Sequence, residues 1–265
     1  MGLVLSPIEH LQSVAQENHA RFISGSEERA VFGVRPPNAS GAPSPEFILE
    51  IVRERVTVSV RELKAVLLPS FCSERHINPG GTFCLYWGEV EPGEITNSDE
   101  AHAWWGKLLL FLLRQRSAAA LRKWPGMADA RAHGSGAARF QAIAEKNAAL
   151  LGPKFEASFR NGRLTLRRGR RQERIALFQD GRRVLTVLPA ERRVMTQRQR
   201  CKCDHADFRR LSIASCSNHG SALAEFVVAM DHWKKSEAAF YDYLRKSNHV
   251  CCGTMDNCPL AKASG

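Results

Sequence analysis

Six of the eight cysteines lie in the last quarter of the chain: Cys201, Cys203, Cys216, Cys251, Cys252 and Cys258, with His205 and His219 among them. Thiolate and imidazole together are the ligand set of a borderline-soft dication, and zinc, tetrahedral in structural sites, is the default. No charged-then-apolar leader opens the sequence, so a reducing, cytoplasmic compartment is expected and clustered thiols read as metal ligands rather than disulfides. No C-x2-C pair appears, which leaves an iron–sulfur cluster and free reduced thiols as alternatives. The other two cysteines, Cys72 and Cys84, stand apart in a stretch over 69–97 dense in Gly, Pro, Asn and Ser, which also holds His76. A thiol there is either a nucleophile or a small packed side chain. Cys72, in a Pro-Ser-Phe context, reads as a packed thiol, and Trp104 and Trp105 read as core.

The elements that would position these groups follow from periodicity. Ser6-Pro7-Ile8-Glu9 offers an N-cap, a first-turn proline and a returning glutamate, which predicts a helix over 7–22. Short Val/Ile/Leu-rich segments at 30–34, 46–52, 55–60 and 63–68 predict a four-strand antiparallel meander. After the irregular stretch, Asn97-Ser98-Asp99-Glu100 caps a Leu-rich buried helix to about 116, continuing to about 123, and 137–151 reads as another, stopped by Gly152-Pro153. Segments 155–159, 163–167, 174–178 and 183–188 read as strands, with Asn161-Gly162 and Asp180-Gly181 as hairpin turns. A helical pattern returns over 221–248. The predicted division is 1–152, 153–200 and 201–265.

One length argument bears on the metal. A straight helix over 221–247 would span about 40 Å, whereas two ligands of one zinc lie about 4 Å apart. Either the helix breaks, near 232–236, or the two flanks hold separate sites. The reading adopted is a broken helix pair around shared zinc, with Cys201, Cys203, Cys216, His219, Cys251, Cys252 and Cys258 as candidate ligands.

At 265 residues, with 44% hydrophobic and 25% charged residues, the chain has ordinary globular composition, which excludes collagen-like, coiled-coil and wholly disordered classes. The longest apolar run, 108–113, is far short of the roughly 20 residues that cross a bilayer, so no membrane partner is expected. Charge is localised: residues 160–200 hold thirteen Arg against Glu173, Asp180 and Glu191, which is +10 of the formal +11. Such a surface admits nucleic acid, an acidic protein partner or a solvated face, and the absence of interleaved aromatics other than Phe178 disfavours single-strand binding.

Taken in order, the first 150 residues give a helix, a four-strand meander, a long loop with His76-Ile77-Asn78-Pro79-Gly80-Gly81-Thr82-Phe83-Cys84-Leu85, then helices. This order resembles ubiquitin-conjugating enzymes, whose loop carries His-Pro-Asn, a spacer, then Gly, any residue, an aliphatic residue, the acceptor Cys and Leu. His76, Asn78, Gly81, Cys84 and Leu85 fall on those places. The match departs in three ways: Ile77 replaces the proline, the spacer is about two residues shorter, and Phe83 takes the aliphatic place. The resemblance covers about 7–151 and implies an α+β ubiquitin-conjugating-like domain, followed here by a small basic sheet and a helical zinc-binding tail. It implies that Cys84 accepts the C-terminal carboxyl of a ubiquitin-like protein from an activating enzyme as a thioester, and passes it to a protein amine. Asn78 would donate to the oxyanion or shape the loop, and His76 would be structural, its imidazole bonding the loop backbone. Glu91, Asp99 and Glu100 are open candidates for orienting or deprotonating the amine.

Cys-Cys-Gly-Thr at 251–254 and Cys-Pro-Leu at 258–260 are similar to the cysteine-rich segment fused to some bacterial ubiquitin-conjugating-like proteins. That implies a bacterial, antiphage-type pathway with an activating enzyme, a ubiquitin-like protein and a metal-dependent peptidase as companions. The alternative reading is a non-catalytic zinc-containing nucleic-acid-binding protein using the basic sheet, and a third keeps the fold as an inactive binding variant.

Overall fold

The structure is a computed structural model in which residues 5–37, 44–89, 91, 93–126, 131–169, 173–204 and 211–261 are described. Among the described residues there are five α-helices and two antiparallel four-stranded sheets. The chain divides into two compact units, Met1–Pro125 with Asn248–Gly265, and Gly126–Ser247. The division therefore falls at Pro125 rather than at residue 152, and the last segment belongs with the first unit.

In the first unit, α1 (Pro7–Ser13) begins as the sequence predicts: Ser6 Oγ accepts from the Glu9 N–H at 3.3 Å and the Glu9 carboxylate accepts from the Ser6 N–H at 2.7 Å. It stops early, because His19 is left-handed (φ 57°) and Ala20–Gly25 is strand β1, not helix. Strands β2 (Arg29–Val34), β3 (Phe47–Glu54) and β4 (Thr57–Glu62) complete a meander in sequence order. Segment 63–68, expected as a strand, is a turn instead; the Glu62 carboxylate accepts from the N–H groups of Val66, Leu67 and Leu68 at 3.2, 3.0 and 2.9 Å, which diverts the backbone from any ladder.

Helix α2 (Ser98–Leu121) is capped by Asn97 Oδ1, which accepts from the Glu100 N–H at 2.9 Å. Its Trp104, Trp105, Leu108 and Leu112 are essentially inaccessible, so the tryptophan pair is core. Trp105 meets Phe32 of β2 edge-on at 5.3 Å and donates to the Leu11 carbonyl at 3.0 Å, which ties the sheet, α1 and α2 into one core.

The second unit contains α3 (Ser135–Leu151), α4 (Pro153–Arg160), strands β5 (Leu164–Arg168), β6 (Ile175–Gln179), β7 (Arg182–Leu188) and β8 (Arg193–Val194), and α5 (His219–Lys246). Segment 155–159 is helix, not strand: Pro153 opens it, and Phe155 and Phe159, four residues apart, both meet Phe226 of α5 edge-on at 5.0 and 5.1 Å. Asp180 and Gly181 have positive φ (51° and 77°) and turn β6 into β7 as predicted, whereas Asn161-Gly162 leads from α4 into β5. Inward-facing Leu164, Ile175, Leu177, Leu185 and Val187 join Leu223, Phe226 and Val227 of α5 in one buried cluster.

Helix α5 does not break. Over 232–236 it holds neither Gly nor Pro, and α3 supports it there: Phe140 stacks on His232 at 4.8 Å and Gly136 lies against Ser236. A metal shared by both flanks of the helix is thereby overturned.

Candidate functional site

The loop bearing Cys84 is a small antiparallel pair appended to β4. Cys72 and Ile77 exchange backbone hydrogen bonds at 3.1 and 3.0 Å around a 3-10 turn, and Ile77 pairs in turn with Phe83. Phe83 N–H donates to the Val60 carbonyl at 2.8 Å, which anchors the pair to β4. The hairpin tip is a turn closed by the Gly81 N–H on the Asn78 carbonyl at 2.9 Å, with Pro79 second and Gly80 third at φ 87°. Proline followed by a positive-φ glycine is the chemistry of a type II turn. Displacement of the proline past Asn78 thus supplies the turn that a shorter spacer needs.

Side chains alternate across such a pair. Ile77 and Phe83 are buried, Phe83 stacking on Phe111 at 4.8 Å, while Asn78 and Cys84 are exposed on the other face. The Cys84 N–H donates to the His76 carbonyl at 2.8 Å, which places Asn78 on the same face, diagonally across from Cys84. Asn78 Nδ2 rests 3.4 Å from Thr82 Oγ1. His76, at left-handed φ 54°, packs its ring edge-on against Trp124 at 4.9 Å, a positioning contact. Crowding by the surrounding protein pushes the Cys84 thiol above its ordinary value.

Of the three acids, Glu100 is committed to the helix start: its carboxylate accepts from the Thr96 N–H at 2.6 Å and the Thr96 hydroxyl at 2.8 Å, which lowers its pKa. Glu91 is ion-paired with Lys107, whose ammonium sits 4.0 Å above the Tyr86 ring. Asp99 lies exposed in the first turn of α2.

The tail places Cys251, Cys252 and Cys258 in this same unit. Cys252 Sγ lies 2.9 Å from Cys72 Sγ and 3.0 Å from Thr254 Oγ1. The Cys72 hydrogen bond pulls the Cys252 thiol down to about 5, burial opposing and Thr254 and Arg75 assisting; the same hydrogen bond, with burial, pushes Cys72 up. Arg75, almost fully buried, donates to the Gln115 side chain at 2.7 Å, the Gln115 carbonyl at 3.1 Å and Thr254 Oγ1 at 3.3 Å. The Cys72–Cys252 pair joins residues 180 apart, and nothing in the local sequence signals it. Cys72 in its own context reads only as a packed thiol, which its 2% exposure bears out.

In the second unit, Cys201, Cys203, Cys216 and His219 bring one ligand atom each within 4.8 Å of one another. Cys216 Sγ is 3.2 Å and Cys201 Sγ 3.6 Å from His219 Nδ1, and Cys203 and Cys216 sulfurs are 3.5 Å apart. A tetrahedral site with metal–sulfur bonds of about 2.3 Å has ligand edges of about 3.8 Å, so the set fits a metal with little adjustment. Burial and the neighbouring thiols push Cys216 up to about 12, and a dication would reverse that. Two elements hold the ligands. The first turn of α5 carries His219, and the 201–204 segment is pinned by the Cys201 N–H on the Leu211 carbonyl at 2.8 Å and the Asp204 N–H on the Leu151 carbonyl at 3.2 Å. His205 lies outside the described residues.

Along the basic strands, Arg163, Arg168, Arg192 and Arg193 are ion-paired with Asp180, Asp231, Glu225 and Glu191. No helix among the described residues is long and apolar enough to cross a membrane.

Comparison with curated proteins and with solved structures gives no match. Two family models do match, in tandem: residues 19–126 match a prokaryotic E2 domain, and residues 132–260 match a cysteine-rich domain described as C-terminal to the E2 domain. The first contains the whole Cys84 loop and the second the Cys201–His219 cluster and the Cys-Cys-Gly-Thr segment. The chain is a prokaryotic E2-like protein whose E2 domain is followed by a C-terminal cysteine-rich domain.

Proposed function

We propose that this protein is a ubiquitin-conjugating-like carrier whose Cys84 accepts a ubiquitin-like protein as a thioester and delivers it to a protein amine. The observation that carries the reading is Cys84 itself: an exposed thiol on the open face of the loop pair, inside the segment that matches the E2 domain. The Cys84 sulfur, once deprotonated, attacks the activated C-terminal carbonyl held on the activating enzyme's own thiol. That thiol leaves with a proton, and the acyl group remains on Cys84. In the second step a neutral lysine amine attacks the thioester carbonyl, and the Cys84 thiol is regenerated as the amide forms.

Asn78, diagonal to Cys84, would turn its amide N–H groups toward the oxyanion of either tetrahedral intermediate, a contribution worth a few kcal/mol at such sites. His76 serves by packing on Trp124 and holding the left-handed bend before the pair. Glu100 is withdrawn from proton transfer by its bonds to Thr96. Zinc at Cys201, Cys203, Cys216 and His219 would be structural: four protein ligands leave no open position, and its chemistry is to hold the 201–204 segment on the start of α5. The pairing of several basic-strand arginines with carboxylates of their own unit weakens the nucleic-acid reading. A bacterial antiphage pathway and a cytoplasmic site of action complete the proposal.

The test is to incubate the chain with an activating enzyme, a ubiquitin-like protein from the same genome and ATP, then record intact masses without reductant. A thiol-labile adduct that disappears in Cys84→Ala supports the carrier. Activation without any adduct on the wild-type chain refutes it.

A further inference from the structure

We propose that Cys72 and Cys252 form a reversible redox site, at which a hydroperoxide oxidises the pair to a disulfide that fastens the tail to the loop carrying Cys84. The two sulfurs lie 2.9 Å apart, so the bond, at about 2.05 Å, needs a closing movement of less than about 1 Å. Both residues are already held from each side. Cys72 is locked by its two backbone bonds to Ile77. The tail is fixed by Arg122, which donates to Asp256 at 2.7 Å and to the Gly253 carbonyl at 3.2 Å, by the Asp256 N–H on the Arg122 carbonyl at 2.7 Å, and by His249 against Phe71 at 5.0 Å. Met255, Cys258 and Leu260 are buried beside these contacts. Oxidation therefore joins two groups that meet in the folded unit, without an ordering cost for either segment.

The accessible partner reacts first. Cys252 is half-buried while Cys72 is 2% exposed, so Cys252 sulfur attacks the distal oxygen of the hydroperoxide. The O–O bond breaks, an alcohol leaves with one proton, and Cys252 becomes a sulfenic acid. Cys72 sulfur then attacks the Cys252 sulfur; the S–S bond forms, the S–O bond breaks, and water departs with the Cys72 proton. Two thiols lose two electrons in all, and the hydroperoxide is reduced to an alcohol and water. A dithiol reductant reverses the bond.

The placement gives the disulfide its consequence. Cys72 pairs with Ile77, Ile77 with Phe83, and Cys84 follows directly, so the bond would tether the tail to the first strand of the loop pair. The site itself does not depend on the carrier reading of Cys84.

The experiment uses the full chain with its metal bound, treated with a few equivalents of hydrogen peroxide, capped with an alkylating reagent and digested without reductant. The expected result is a peptide in which Cys72 is joined to Cys252, about 2 Da lighter than the two separate thiol peptides and released by dithiothreitol. Cys72→Ser should convert the product into a Cys252 sulfenic acid trapped by dimedone. A link between Cys251 and Cys258 in place of Cys72–Cys252 would overturn the proposal, as would peroxide leaving both residues free to alkylate. Because the digest reads only these sulfurs, its outcome is separable from the presence or absence of a thioester on Cys84.

Discussion

Cys84 and Cys252 sit in one folded unit yet differ in their protonation, and a pH profile of their alkylation separates them. Crowding holds Cys84 above the ordinary cysteine value of about 8.5, so less than about 3% is thiolate at pH 7. Cys252, pulled to about 5, is almost wholly thiolate at the same pH. The thiolate fractions thus favour Cys252 by at least about 30-fold. Nucleophilicity runs the other way, since a thiolate grows more reactive as its pKa rises, with a Brønsted slope of about 0.4–0.5. The two effects oppose each other at pH 7, so the slopes of the profiles, not the rates at one pH, separate the two thiols. With iodoacetamide and peptide-level mass spectrometry, Cys84 alkylation should rise about tenfold per unit from pH 6 to 8, while Cys252 stays flat above about pH 6. A Cys84 profile that levels off below pH 8 would show a thiol activated by a partner and refute the reasoning. A Cys252 profile that climbs with Cys84 would show that the Cys72 bond does not hold its thiolate.

Three further outcomes follow from the second unit and the hairpin. Metal analysis of the purified chain should give one zinc per chain, lost in Cys203→Ser and Cys216→Ser and retained in Cys251→Ser and Cys258→Ser; loss in the latter pair would contradict the four-ligand site. Arg168→Ala should cost about 2 kcal/mol in urea unfolding, since the half-exposed Lys235, 3.0 Å away, would be left alone to balance a largely buried Asp231. Burial works against the Asp231 charge, but Arg168 and Lys235 together bring its pKa below the ordinary aspartate value. The pair's stability is therefore present above that value and lost as pH falls through the lowered one, and the deficit of the variant should shrink there. Gly80→Ala should lower thioester yield without greatly changing the melting temperature, because φ 87° costs a side chain about 1 kcal/mol or more at the exposed tip; an unchanged yield would show that the tip geometry does not matter to Cys84.

Much of the fold was legible because local chemistry and tertiary demand agreed. The Ser6–Glu9 capping box, the Asn97 cap, the Asp180-Gly181 turn and the buried tryptophan pair all stand as the residues imply. The order His76, Asn78, Cys84 pointed to the loop, and the loop pair places Asn78 and Cys84 on one face. Readings failed where a pattern fitted two structures. Residues 20–22 read as the end of the first helix, yet Phe22 pairs with Phe32 across β1 and β2 with rings 5.6 Å apart. Residues 155–159 carry aromatic spacing that suits a strand beside a basic sheet or one helix face, and Phe226 selects the helix. The expected break in α5 followed from asking one zinc to take ligands from both flanks of a helix about 40 Å long. The absence of Gly and Pro over 232–236 and the packing of Phe140 on His232 keep the helix continuous, and the Cys252 thiol beyond it lies instead beside Cys72.

The return of Asn248–Gly265 to the first unit makes that unit discontinuous in the chain. During synthesis, Cys72, Arg75 and Arg122 emerge early and wait for the contacts of residues 248–260 until all of Gly126–Ser247 has been made, on the order of ten seconds at ordinary elongation rates. A chain that stops within Gly126–Ser247 carries Cys84 without the contacts that Cys252, Thr254 and Asp256 make to Cys72, Arg75 and Arg122. Residues 248–260 thereby tie the state of that loop to the domain made before them: the loop that bears Cys84 gains these contacts only in a chain translated past Ser247.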